Sequence, residues 1–222
     1  MSRRVLTLVE GQTEERFVKD VLAPQLSACG LLFEKPTVVM TKRVLRGGKF
    51  RGGVSGFGKF KNDLLRLLHG AGGAIVTTIL DYYRLPEDFP GMPTRPKGSP
   101  IARTEHVEKA IHKHFASRSN FVPHLSLHEF EALLFADIRE LPRSLAQPEM
   151  EPRLAEVRNQ HPTPEDINER PGYAPSERIL EIFPAYRKTL HGPPTVNRIG
   201  LEKLRAECAH FDSWLRKLEA LA

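Results

Sequence analysis

The chain has 222 residues, with 33 Lys and Arg against 27 Asp and Glu, a formal charge of +6 and a pI near 9.4. That length buries a substantial core without staples, and Cys29 and Cys208 are far apart and lack CxxC or Cys/His zinc spacing, so neither a disulfide framework nor a structural zinc site is indicated by the cysteines. The basic balance favours an anionic partner, nucleic acid first among them; the cysteine usage fits a reducing cytosol, and the first apolar run reaches Glu10 too soon for a signal peptide or membrane span.

Residues 4–10 (RVLTLVE) form a short β-favouring run ending at Glu10 and Gly11. Thr13 then stands as a helix cap ahead of Phe17, Val18, Val21 and Leu22 at helical spacing, which reads as strand, tight turn, helix. Residues 37–44 are a second candidate strand, and 57–68 a second amphipathic helix carrying Leu64, Leu65, Leu67 and Leu68. The run 74–80 (AIVTTIL) predicts a buried strand that terminates in Asp81. A proline- and glycine-rich loop over 82–100 follows, then a helix over 101–115, a fourth strand over 121–127 and a helical stretch over 128–135. Strands alternating with helices predict an α/β fold with a mainly parallel, Rossmann-like sheet covered on both faces.

After Asp137 the pattern changes to short helical pieces broken by prolines. The expected organisation is an α/β core over residues 1–136 and a helical extension over 137–222 packed on it as one compact unit. The extension ends in an amphipathic run around Leu201, Leu204, Trp214, Leu215 and Leu218, read as core packing.

Ligands of a parallel sheet gather beyond the carboxyl ends of its strands, where both Glu10 and Asp81 are expected. Glu14 lies one helical turn past Glu10, and the turn at Gly11 and Gln12 can aim its side chain back to the same edge. Two or three oxygen ligands that leave water positions open suit Mg²⁺ or Mn²⁺. The plainer alternative is that Glu14 and Glu15 meet the helix dipole and that Asp81 forms a turn. A second cluster, HEFE, holds His128, Glu129 and Glu131, with His128 and Glu131 expected on one helix face. It is not HExxH, because position 132 is alanine and His124 lies upstream in the predicted strand. A third metal ligand or proton donor from this cluster stands against a solvated or capping pair.

Residues 42–61 carry Lys42, Arg43, Arg46, Lys49, Arg51, Lys59 and Lys61 without one acidic residue, interleaved with six glycines. Such a loop can follow a phosphate backbone, with Phe50 and Phe57 as candidate base-stacking rings; a solvated hairpin is the alternative. Gly53, Gly58 and Lys59 have P-loop spacing, but Phe60 replaces the magnesium-binding hydroxyl residue, so the NTPase motif is incomplete.

VEGQTEE after a short strand, followed by a strand ending ILDYY, resembles the Toprim domain of topoisomerases, bacterial primases and overcoming-lysogenization-defect (OLD) nucleases, the nuclease branch above all. DYYRLPEDFPG, LSLHEFEALLFAD and CAHFDSWL resemble a prokaryotic Toprim-related family of unknown function, a likeness that spans nearly the whole chain. The resemblance implies that Glu10 transfers a proton or binds metal, that Asp81 coordinates Mg²⁺ or Mn²⁺ at the scissile phosphate, and that Glu14 assists. Tyr83 departs from the typical DxD pair, which puts two-metal catalysis in doubt and leaves Glu129 or Glu131 as candidate replacements. The resemblance further implies a phosphodiesterase in an antiviral defence setting with an AAA- or ABC-type ATPase partner. The alternative is a non-catalytic nucleic-acid-binding or regulatory subunit.

Overall fold

The computed structural model describes residues 2–39, 54–83, 85–167 and 172–222. Strand β1 (Arg3–Val9) feeds directly into helix α1 (Gln12–Phe17), which continues through a π-helical turn (Val18–Leu22) into α2 (Ala23–Leu26). Pro24 explains the widened turn: it has no N–H to donate, and its ring would meet the carbonyl of residue 20 in a regular helix. Thr13 is not the cap expected of it. Gly11 is the N-cap, with extended backbone, and Thr13 lies inside α1 with its hydroxyl 3.4 Å from that of Thr189.

Gly30, at φ 79°, turns the chain into β2 (Leu31–Phe33), a strand too short to show in the pattern, and β3 (Thr37–Val38) follows. The strand expected over 37–44 ends as a regular element at Val38, and its part from residue 40 onward lies outside the described residues. Helix α3 (Phe57–Gly70) opens with the Phe57 N–H donating to Asp88 Oδ2 at 2.8 Å. Strand β4 (Ile75–Asp81) leads through the 82–100 loop to α4 (Pro100–His114), where Ser99 Oγ accepts from the Ala102 N–H.

The strand expected over 121–127 is two short ones, β5 (Phe121–Val122) and β6 (Leu125–Ser126). Pro123 cannot donate to the ladder, and Thr78 bridges the break: its hydroxyl donates to His124 O and accepts the His124 N–H, both at 2.9 Å. The order β2-β1-β4-β5, with β3 beside β1 and β6 beside β4, is parallel throughout. Along β1 and β4 the side chains alternate. Leu8, Val76 and Leu80 pack under α3 and α4, while Val5, Val9, Ile75 and Ile79 face the opposite way.

That second face is covered by α1 and the remainder of the chain. A 3₁₀ helix (Phe130–Ala136) precedes α5 (Glu140–Leu145), α6 (Met150–Asn159), α7 (Pro175–Ile182), α8 (Lys188–Ile199), α9 (Leu201–Glu207) and α10 (Ala209–Glu219). Leu201, Leu204, Trp214, Leu215 and Leu218 are all buried in one cluster with Val5 and Ile79. The fold is α/β, a parallel sheet between helices, with the helical C-terminal part closing one face of it. Among the described residues no helix is long and apolar enough to cross a membrane.

Candidate functional site

At the carboxyl edge of the sheet Glu10 and Asp81 meet: the Asp81 N–H donates to Glu10 Oε2 at 2.9 Å. The register that pairs Val9 with Ile79 brings the two strand ends level. Glu14, buried in the first turn of α1, folds back over the turn, with Oε2 3.4 Å from where a Cβ on Gly11 would stand. Asp81 Oδ1 is buried and has no hydrogen-bond partner among the described residues. Burial, then Glu10 and Glu14, push the Asp81 carboxyl well above its ordinary range, against the pull of Lys188. Burial likewise raises Glu14 to about 7, with Glu10 and Glu131 adding to it.

The HEFE segment is not the helix face expected of it. His128 precedes the 3₁₀ helix and Glu129 is its extended N-cap, so His128 and Glu131 do not share a helical stripe. Glu129 Oε2 accepts the Ser176 N–H at 3.1 Å, capping α7, and Lys188 Nζ lies 3.6 Å from Oε1. Glu131, 1% exposed, accepts from Lys188 Nζ at 3.0 Å and from the Tyr186 hydroxyl at 3.4 Å. It faces the same acids: burial raises its carboxyl, and its charge is felt at Glu14 and Asp81. Burial works against the Lys188 ammonium, but Glu131, Glu129 and Asp81 outweigh it and raise its pKa. His128 is buried with Nε2 unpartnered, and burial lowers its pKa to about 4. Tyr83 joins this segment through its backbone, its N–H donating to His128 O at 3.4 Å.

The edge therefore gathers Glu10, Glu14, Asp81 and Glu131 with Lys188 as a cation. The sequence pattern gave no hint of Lys188 or Tyr186. They sit in the proline-broken C-terminal part, where no periodicity links them to the strand ends, and α8 reaches the edge through tertiary contacts such as Arg16 Nη1 donating to Thr189 O at 2.7 Å. Of the cationic candidates, Lys42, Arg43, Arg46, Lys49 and Arg51 lie outside the described residues; Lys59 and Lys61 are half-buried on α3. Phe57 is no free stacking ring, since it packs against Phe89 at 5.2 Å and His114 at 4.8 Å between ring centroids. Gly58 and Lys59 are helical, which removes the P-loop geometry.

A second polar cluster was not foreseen. Glu108 of α4, His124 between β5 and β6, and His210 of α10 are all buried, with ligand atoms within 4.8 Å of one another. Glu108 Oε1 lies 3.2 Å from His210 Nε2 and 3.6 Å from His124 Nδ1, and accepts the Leu125 N–H at 2.9 Å. Burial opposes the Glu108 charge, yet the two imidazoles outweigh it and bring its pKa to about 2. Only helix periodicity in α4 and α10 and the lone His124 mark these positions in the sequence, none of them a motif.

Across its full length the fold resembles the C-terminal region of the Burkholderia pseudomallei OLD protein, at a TM-score of 0.44 and 15% identity, covering 100% of both chains. No curated protein matches the chain. A family profile described as a domain of unknown function, DUF4276, matches residues 9–219. That span is nearly the whole chain, which belongs to the DUF4276 family.

Proposed function

We propose that the chain is a divalent-metal-dependent phosphodiesterase of Toprim type acting on nucleic acid, with its centre at the edge formed by Glu10, Glu14 and Asp81. The observation that carries this reading is Asp81 Oδ1, buried and without a hydrogen-bond partner among the described residues, its pKa raised by that burial and then by Glu10 and Glu14. Carboxylates so placed repel one another and, with the charge of Lys188 as the counter-ion among the described residues, do not all ionise near neutrality. A hard cation relieves them, and oxygen-only donors are what Mg²⁺ or Mn²⁺ takes. Glu10, Glu14 and Asp81 would hold it, and when bound it supplies charge stabilisation at the phosphate and activation of water.

The chain's own residues have separable roles in this reading. Glu10 fixes the strand ends through the Asp81 N–H and remains within reach of a proton at the edge. Lys188, anchored by Glu131 and Glu129, presents a cation beside the acids, suited to a developing negative charge on a phosphate oxygen. Glu129 caps α7, whereas the charge of Glu131, itself held by Lys188 and Tyr186, is felt at Glu14 and Asp81, which makes Glu131 the better candidate for the carboxylate missing at Tyr83.

The test is calorimetric Mn²⁺ and Mg²⁺ titration of the wild type and of Asp81→Ala, alongside cleavage of plasmid and single-stranded DNA and RNA. Metal binding and cleavage that both disappear in Asp81→Ala support the reading. A wild type that binds neither metal, even with nucleic acid present, overturns it in favour of a non-catalytic binding subunit, the reading that Tyr83 in place of a second aspartate favours.

A further inference from the structure

The buried cluster of Glu108, His124 and His210 lies away from the acidic edge. His124 sits against Thr78, three residues before Asp81 along β4, which places it roughly 10 Å down the strand at about 3.3 Å per residue. Nothing in the proposed phosphodiester chemistry uses it.

We propose that Glu108, His124 and His210 form a site for a borderline divalent transition metal of the zinc class, fastening α10 to α4 and to the strand edge. The donor set, one carboxylate and two imidazoles, is one that Zn²⁺ takes and Mg²⁺ does not. Bonds of about 2.0–2.1 Å in a tetrahedron put neighbouring donors about 3.3 Å apart. Glu108 Oε1 stands 3.2 Å from His210 Nε2 and 3.6 Å from His124 Nδ1, bracketing that edge length.

A second observation concerns the nitrogen of His124 itself. His124 Nδ1 is fully buried, faces Glu108 at 3.6 Å, just beyond a hydrogen bond, and among the described residues has no closer partner. An unpartnered nitrogen in a core costs stability unless something binds it. The surroundings hold each donor in place. His124 stacks on Trp214 with centroids 4.3 Å apart and planes 8° from parallel, and Trp214 Nε1 donates to Thr77 Oγ1 at 2.9 Å. Glu165 accepts the His210 and Phe211 N–H groups at 2.9 and 3.0 Å, fixing the start of α10 and adding a second negative charge nearby. These contacts fix the plane of the His124 ring and the start of the helix that carries His210.

The experiment uses the full chain, stripped with chelator and then titrated with Zn²⁺ and, for its visible spectrum, with Co²⁺. The expected result is one tightly held ion, a strong four-coordinate Co²⁺ band, and a Tm about 5–10 °C higher with Zn²⁺ in large excess over Kd. His124→Phe keeps the ring on Trp214 and removes the donor; it should lose the band and the Tm rise, as should Glu108→Gln if it folds. Asp81→Asn should keep both, which separates this site from the acidic edge. If the wild type gives no Co²⁺ band and no Zn²⁺-dependent Tm shift, or if His124→Phe retains both, the cluster is a buried ion pair and the proposal fails.

Discussion

Asp81 and Glu10 are joined main chain to side chain: the amide of the residue that ends β4 donates to the carboxylate of the residue that ends β1. Glu10 therefore has a structural task distinct from any metal, and two substitutions separate them. Glu10→Gln keeps an acceptor for the Asp81 N–H, whereas Glu10→Ala leaves it unpaired. Glu10→Ala should lower stability by about 1–2 kcal/mol in urea melts and Glu10→Gln by much less, while both weaken Mn²⁺ binding at least tenfold. Equal stability of the two variants would show that the hydrogen bond contributes nothing.

Glu14 gives a pH prediction. Burial raises its carboxyl from an ordinary value of 4.5 to about 7, so the folded chain holds a proton that the unfolded chain releases. Stability from this group is present below about pH 4.5 and is lost as pH rises to about 7. His124 and His128 act in the opposite sense. Burial lowers both to about 4, so the unfolded chain takes their protons first and stability falls as pH drops below 6.5. The difference between wild type and Glu14→Gln isolates the glutamate. Glu14→Gln should gain on the wild type between about pH 5 and 8, by up to about 3 kcal/mol, and Mn²⁺ should narrow the gap. A gap that does not change with pH would mean that Glu14 ionises like an exposed carboxylate.

What the sequence made legible follows from the range of the interactions involved. The strands ending at Glu10 and Asp81 are local patterns of apolar residues, and a parallel sheet then obliges their ends to share one edge. Helices α3 and α4 carry their own periodicity and caps. The unbroken strand expected over 121–127 failed because the repair of the Pro123 break is a hydroxyl 46 residues away, Thr78, which no local pattern announces. Lys188 was invisible for the same reason: its partners Glu129 and Glu131 lie 59 and 57 residues away in a different helix, and only the packing of α8 on the 3₁₀ helix brings them together. His210 reaches Glu108 across 102 residues, and Glu165 was one charge among many until it proved to cap α10.

Lys188 links the two halves of the edge, and its loss can be predicted in sign and scale. Lys188→Met leaves Glu131 buried beside Glu14 and Asp81 without its cation. The lysine side chain is 43% exposed, so water screens part of the effect, and a cost of about 1–2 kcal/mol is expected rather than the larger penalty of a sealed pair. Adding Glu131→Gln should recover most of it, because the stranded charge is then gone. If the phosphodiesterase reading holds, Lys188→Met also lowers the cleavage rate about 10²-fold in a protein that still binds Mn²⁺. Unchanged cleavage would remove Lys188 from the chemistry and leave it a structural counter-ion.

The last prediction concerns how α8 reaches the edge at all. Gly192 lies inside that helix just ahead of Pro193 and Pro194, and a Cβ there would stand 2.8 Å from Phe130 Cε1 and 3.2 Å from the Tyr186 hydroxyl. Phe130 cannot swing aside, because it is buried and packed edge-on against Phe17 with centroids 5.3 Å apart. Gly192→Ala should therefore lower stability by about 1–3 kcal/mol despite the better helix propensity of alanine, and it should disturb Tyr186 and Lys188, which hold Glu131. Gly58→Ala is the control: it lies in the first turn of α3 with nothing among the described residues within 4 Å of the added carbon, so propensity acts and the change should be neutral or stabilising by a fraction of about 1 kcal/mol. Urea melts of the two variants decide the matter. If Gly192→Ala proves as benign as Gly58→Ala, the close approach of α8 to Phe130 is not what positions the lysine, and the geometry of the edge must be held from elsewhere.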